Sequence, residues 1–188
     1  YVEPSDLEGI QAQRPSGVRD LELNWNSERV YDQIYGAWLG RAAGCVLGKP
    51  VEGWPKARID KYLKDKNIDL LDNYLPFDET VLPGVHKVST RGNIEFMPRD
   101  DDMDYVIIGL LALEKRGIKT SARTIANTWV DRLPFHLVYT AEECAYRNFV
   151  NSIWPPLSGT HRNPFREWIG AQIRADIFGY VTPGLPEI

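Results

Sequence analysis

Four carboxylates fall within five consecutive positions, at Asp100, Asp101, Asp102 and Asp104, and such crowding needs a physical reason. One aspartate can cap a helix and a second can gain from the positive end of its dipole, each by roughly 0.3–1 kcal/mol. Further negative charges in the same turn repel one another. Two kinds of positive charge can offset them: Arg99, next in sequence, or a hard divalent cation that takes oxygen ligands. The plainer alternative is an over-acidic, solvated cap. Glu52 is the next acid of interest, because Gly48, Pro50 and Gly53 hold it on a stiff turn; taken alone, it reads as a solvated loop charge. Arg174 offers a planar fork suited to a phosphate or carboxylate, or to an ion pair with Asp176 or another acid. His161 reads as a loop histidine, and His86 has no ligand-spaced partner, which leaves it without a metal role.

These residues need elements to position them. Met103, Val106, Ile107, Leu110 and Leu111 recur at helical spacing and define one buried face. Pro98 breaks the chain upstream, Lys115 and Arg116 complement the negative end of the dipole, and Gly117 suits the left-handed position that follows. A helix therefore starts near Asp100. An earlier one is predicted between Ser27 and Val46, with Ser27 as its cap and a stripe of Tyr31, Ile34, Tyr35, Trp38, Leu39 and Ala42. Gly36, Gly40 and Gly44 lie four apart on it. Each costs up to ~1 kcal/mol relative to alanine, which implies close approach by another helix or by a ligand.

A short helix is expected around Ile59 to Leu63, followed by an irregular connection through Pro76, Pro83 and Gly84. Thr120 or Ser121 caps a helix closed by Pro134, and Thr140 and Glu143 have capping-box spacing at the head of another. Trp154 to Thr160 reads as a loop. Asn163, with Pro164 in the first position, then opens a final helix whose Phe165, Trp168, Ile169, Ile173 and Ile177 face inward and which Gly179 stops. No stretch reads as a strand, so the fold class is all-α.

The 188 residues, 43 % of them hydrophobic, suffice for one sizeable core. Residues 1–27, with Pro4, Gly9, Pro15 and Gly17 and little periodicity, read as an extended N-terminal arm, which leaves 28–188 for the helical domain. A net charge of −4 and a pI near 5.4 give no basic footprint, which argues against nucleic acid as the primary partner. Cys45 and Cys144 read as buried free thiols in a reducing compartment. No apolar run approaches the ~20 residues that span a bilayer, and no signal-peptide pattern is present. A cytoplasmic protein without a membrane partner is the expectation.

Three segments, taken in order, resemble one family. Gly36-Ala37-Trp38-Leu39-Gly40-Arg41, continuing through Gly48-Lys49-Pro50-Val51-Glu52-Gly53, is similar to the opening helix and loop of the ADP-ribosylglycohydrolases. That family includes the enzymes that remove ADP-ribose from arginine and the glycohydrolase that reactivates dinitrogenase reductase. Asp100-Asp101-Asp102 and the apolar helix after it resemble the family's Thr-Asp-Asp-Thr segment, with Arg99 and Asp102 in place of the two threonines. Gly170-Ala171-Gln172-Ile173-Arg174 resembles its Gly-x-x-x-Arg substrate helix.

The resemblance implies an all-α multi-helix bundle whose cleft holds two magnesium ions, with ADP-ribose or an ADP-ribosylated protein across them. Hydrolysis at the anomeric carbon of ribose, with a metal-held water as nucleophile, is the implied chemistry. Position by position, Glu52 matches the family's early metal-site glutamate, and Asp100 and Asp101 its paired aspartates; Asp102 joins the metal set, and Asp101 with Asp102 is the alternative register. Gly170 and Arg174 match the substrate helix, and Ser158, Gly159 and Asn163 are further candidates for the diphosphate or ribose. Arg99, unfavourable beside a dication, is expected to face solvent or a phosphate. The family's late Asp-x-Asp segment has no counterpart after Asp176, so the chain is expected to be the N-terminal portion of such a domain, with the rest outside this stretch or on another chain. A non-catalytic nucleotide- or protein-binding member of the same fold is the alternative.

Overall fold

The structure, a computed structural model, describes residues 2–4, 6–18 and 25–184. Seven α-helices appear among them: α1 (Leu7–Ala12), α2 (Ser27–Gly48), α3 (Lys56–Asp65), α4 (Asp101–Arg116), α5 (Ala122–Arg132), α6 (Thr140–Val150) and α7 (Ala171–Val181). No strand occurs among the described residues, so the all-α class holds. No helix among them is long and apolar enough to cross a membrane.

The core is aromatic and lies between α4, α5 and α6. Tyr105, Ile108, Trp129, Tyr146 and Phe149 are buried together, and the rings of Tyr105 and Trp129 lie 4.9 Å apart. Such tilted and edge-on ring pairs add to the stabilisation that burial itself supplies. A smaller cluster of Tyr62, Leu75 and Leu82 pins the long connection after α3 against that helix. The connection is irregular, as expected, apart from a short 3-10 helix over Gly84–Ser89. Cys45 and Cys144 are free and half-buried.

The predicted α4 forms with Asp100 as its cap, the Asp100 side chain accepting from the Asp102 N–H, and ends at Gly117 with φ +58°. Its buried face is turned from the expected one. Tyr105, Val106, Ile108, Gly109 and Ala112 are buried, whereas Ile107 and Leu111 are exposed. The cause is α7: a Cβ on Gly109 would stand 2.7 Å from Ile177 Cγ2, so the bare glycine admits Ile177 and draws that side of α4 inward.

Other ends differ as well. Asn26, not Ser27, caps α2, its side chain accepting from the Arg29 N–H at 2.9 Å. Half of the α2 stripe is exposed: Tyr31, Tyr35 and Leu39 face outward, and the first two rings stack on each other. Ser121 caps α5, as expected. Tyr139 precedes α6 without a side-chain capping bond, and Glu143 pairs with Arg147, so no capping box forms there. Asn163 opens no helix. Its Nδ2 donates to the carbonyls of Ala141 (2.9 Å) and Gly159 (3.1 Å) while its Oδ1 accepts from the Phe165 N–H, which makes it the brace of a turn. The last helix accordingly starts at Ala171, leaves Trp168 and Ile169 exposed, and runs through Gly179 to Val181. Within the expected N-terminal arm, α1 forms with Asp6 as its cap; positions 19–24 of that arm lie outside the described residues.

Candidate functional site

A cleft of about 760 Å³ opens between α2, the head of α4, and the segment leading into α7. Its lining includes Glu52, Asp100, Asp101 and Asp102 on one side and Gly170, Gln172 and Ile173 on the other. Gly40, Gly44 and Gly48 of α2 also line it. A Cβ on any of these three would meet no atom within 4 Å. Helix packing is therefore not what the glycines serve among the described residues: they leave a strip of α2 backbone bare toward the cleft.

The acid side is built by a sharp exit from α2. Pro50 is buried in a single 3-10 turn over Lys49–Val51, and Gly53 at φ +73° takes a left-handed conformation that other residues rarely adopt. Glu52 is thereby held beside the start of α4. Lys49 Nζ lies 2.9 Å from both Glu52 Oε2 and Asp100 Oδ2, so one ammonium joins the two acidic segments. Burial favours a neutral Asp100, but the Lys49 ammonium and the Asp102 N–H outweigh it and hold the carboxyl below its usual range. Asp101 goes the other way. Burial first, and then the Asp100 carboxylate beside it, push Asp101 up to about 6. Asp102 accepts from Cys45 Sγ at 3.4 Å, and burial together with Asp102 pushes that thiol up to about 12.

One arginine pairs with a further carboxylate of the cluster, and a second braces its backbone. Arg99 is exposed to solvent, as expected, while it pairs with Asp104 and donates to the Leu137 carbonyl at 3.2 Å. Arg41 donates to the Asp102 carbonyl at 2.6 Å and pairs with Asp176, tying α2, α4 and α7 together at one node. Protein cations thus neutralise much of the aspartate cluster.

The opposite side rests on a second ion pair. Glu142 of α6, 5 % exposed, is joined to Arg174 of α7. The Arg174 guanidinium also lies 5.9 Å and 5.8 Å from the ring centres of Tyr105 and Trp129. Of the alternatives for Arg174, the ion pair with another acid is the one formed, and the acid is Glu142. A Cβ on Gly170 would fall 1.9 Å from Glu142 Oε1. The glycine four residues before the arginine therefore makes room for the carboxylate that holds it.

The structure brings Glu52, Asp100, Asp101, Asp102 and Gly170 to one cleft. It does not bring Ser158, Gly159 or Asn163 there. Ser158 and Asn163 are buried, and Asn148 Nδ2 donates to the Ser158 carbonyl at 2.8 Å. Sequence reasoning missed Lys49, Arg41 and Glu142. Arg41 carried a signal, a charge amid the small residues of α2; Glu142 carried none that set it apart from Glu143.

Magnesium is the ion that the resemblance implies, and the donor chemistry suits it. Carboxylate oxygens line one wall, and the ammonium held by two of them marks where positive charge is stabilised. Among the described residues no three histidine, cysteine or acidic side chains are grouped to hold a metal ion. They fit one wall of a cation site and not a closed cage.

The chain thus folds entirely from helices, with a cleft walled by acids on one side and by the glycine-entered last helix on the other. The sequence model of the ADP-ribosylglycohydrolase family matches residues 26–187, and the chain belongs to that family. Comparisons with curated proteins and with solved structures gave no match.

Proposed function

We propose that this protein is a magnesium-dependent hydrolase of the ribosyl glycosidic bond in ADP-ribosylated protein, of the arginine type, or in a related ADP-ribosyl or ribosyl compound, working in the cytoplasm. One observation carries the reading: acids from two segments 48 positions apart, Glu52 and Asp100, reach a common cation on the wall of a cleft, in a chain of this family. Glu52, Asp100, Asp101 and Asp102 would hold the ions, two in the complete site. Magnesium, when bound, supplies positive charge that polarises the scissile centre and orients the ribose hydroxyls.

The chain's own groups do the rest. Asp101, whose carboxyl is held up while the cleft holds no ion, would give up its proton as magnesium enters and serve among the ligands. The bare strip of α2 gives a ribose and diphosphate access to backbone. Trp168, more than half exposed at the rim, offers a flat face for a base. Arg174 contributes through Glu142, by fixing the helix behind Gly170.

Incubation with an ADP-ribosyl-arginine substrate and magnesium should release ADP-ribose, and Asp100→Ala and Asp101→Ala should abolish the release. Tight binding of ADP-ribose without release from any ADP-ribosyl linkage would establish the non-catalytic alternative instead.

A further inference from the structure

Lys49 has the wrong charge for a metal ligand and the right position for a metal. Its Nζ stands 2.9 Å from an oxygen of Glu52 and 2.9 Å from an oxygen of Asp100, the two acids that the proposed function gives to magnesium. Asp100 is 6 % exposed, and a carboxylate so buried is strongly destabilising without a counter-charge. When no divalent ion is bound, the ammonium meets that need. The Lys49 side chain itself is 34 % exposed, so its flexible stem has a way out to solvent.

We infer that Lys49 is a tethered counter-cation that occupies the place between Glu52 and Asp100, so that a divalent ion bridging these two acids must displace it. The inference rests on the proposed magnesium site. An intramolecular ammonium competes at high effective concentration without being consumed, and its two charge-assisted hydrogen bonds must break before an ion can enter. Lys49 therefore lowers the affinity of this position for divalent ions and keeps the acid wall intact when they are scarce. Once displaced, the ammonium remains beside the cleft, where an anionic substrate can meet it.

Calorimetric titration of magnesium into the wild-type protein and into Lys49→Met tests this directly. The variant should bind about tenfold more tightly or better, the scale of a hydrogen bond to a charged group no longer opposing entry. Because loss of the counter-charge leaves Asp100 buried and unpaired by Lys49 and so weakens the fold of the variant, a second measurement uses the wild type alone. Reductive methylation of Lys49, followed by mass spectrometry of its peptide, should run several times faster with saturating magnesium than with a chelator. Equal or weaker binding by a folded Lys49→Met, or a methylation rate that magnesium leaves unchanged while it binds, overturns the inference and leaves the metal reading standing. Absence of magnesium binding in both proteins overturns the two together.

Discussion

The two sides of the cleft each carry an acid paired with a base, and they are built on opposite terms. At Glu142 and Arg174 the charges match one to one, and Gly170 gives the carboxylate room. At Lys49 one ammonium serves two acids, while Asp101 beside them is pushed toward the neutral form. A pair balanced in charge serves the fold. An arrangement with negative charge to spare is a poor strut and a good place for a cation, so the acid side is the one on which ligand chemistry depends.

The sharpest way to break this contrast is at the balanced pair. Glu142→Ala strands Arg174 and should cost about 2–4 kcal/mol in chemical unfolding. Gly170→Ala should cost a similar amount by forcing the carboxylate aside, and the double variant should be no less stable than Glu142→Ala alone, because the three atoms nearest the added methyl group all belong to Glu142. Full additivity in that cycle would show that Gly170 has another role.

On the acid side the expected effect moves from stability to activity. Asp101→Asn should lower turnover about 100-fold, the scale of a weakened metal environment. Its effect on the metal-free fold has the opposite sign to that of the balanced pair. A carboxyl whose pKa rises on folding opposes folding once ionised, so stability should fall as pH climbs from about 4 to about 6 in the wild type. Asp101→Asn should remove that slope and melt higher at pH 7, a difference that vanishes below about pH 4.

The smallest effect should come from a pair in neither wall. Lys66 holds the Asp78 carboxyl down at about 2, with Thr80 assisting. A depressed carboxyl stabilises above its unfolded pKa, so the small advantage of wild type over Asp78→Asn in thermal melts should be present at pH 7 and close as pH falls from about 4 to about 2.

Legibility from sequence followed the range of the interactions. The caps at Asp100 and Ser121 and the stop at Gly117 depend on neighbours a few positions away, and all three could be read in advance. The inward face of α4 could not, because it is decided by Ile177 meeting Gly109 across the fold. Asn163 followed by Pro164 has the local signature of a helix start, yet its amide is committed to carbonyls of Ala141 and Gly159, which no local pattern encodes. The same distinction runs through the site. The acids stood out by type and spacing, whereas nothing singled out Lys49 until the fold carried Asp100 to it.

The uncovered strip at Gly40, Gly44 and Gly48 has one more consequence. Alanine at these positions would stiffen α2 and meet no obstruction, so thermal endurance alone favours it, by up to ~1 kcal/mol at each interior position. Every methyl group so gained would also roughen the surface against which a guest molecule must lie. Sturdiness of the empty protein and hospitality toward its guest therefore pull in contrary directions along this one helix.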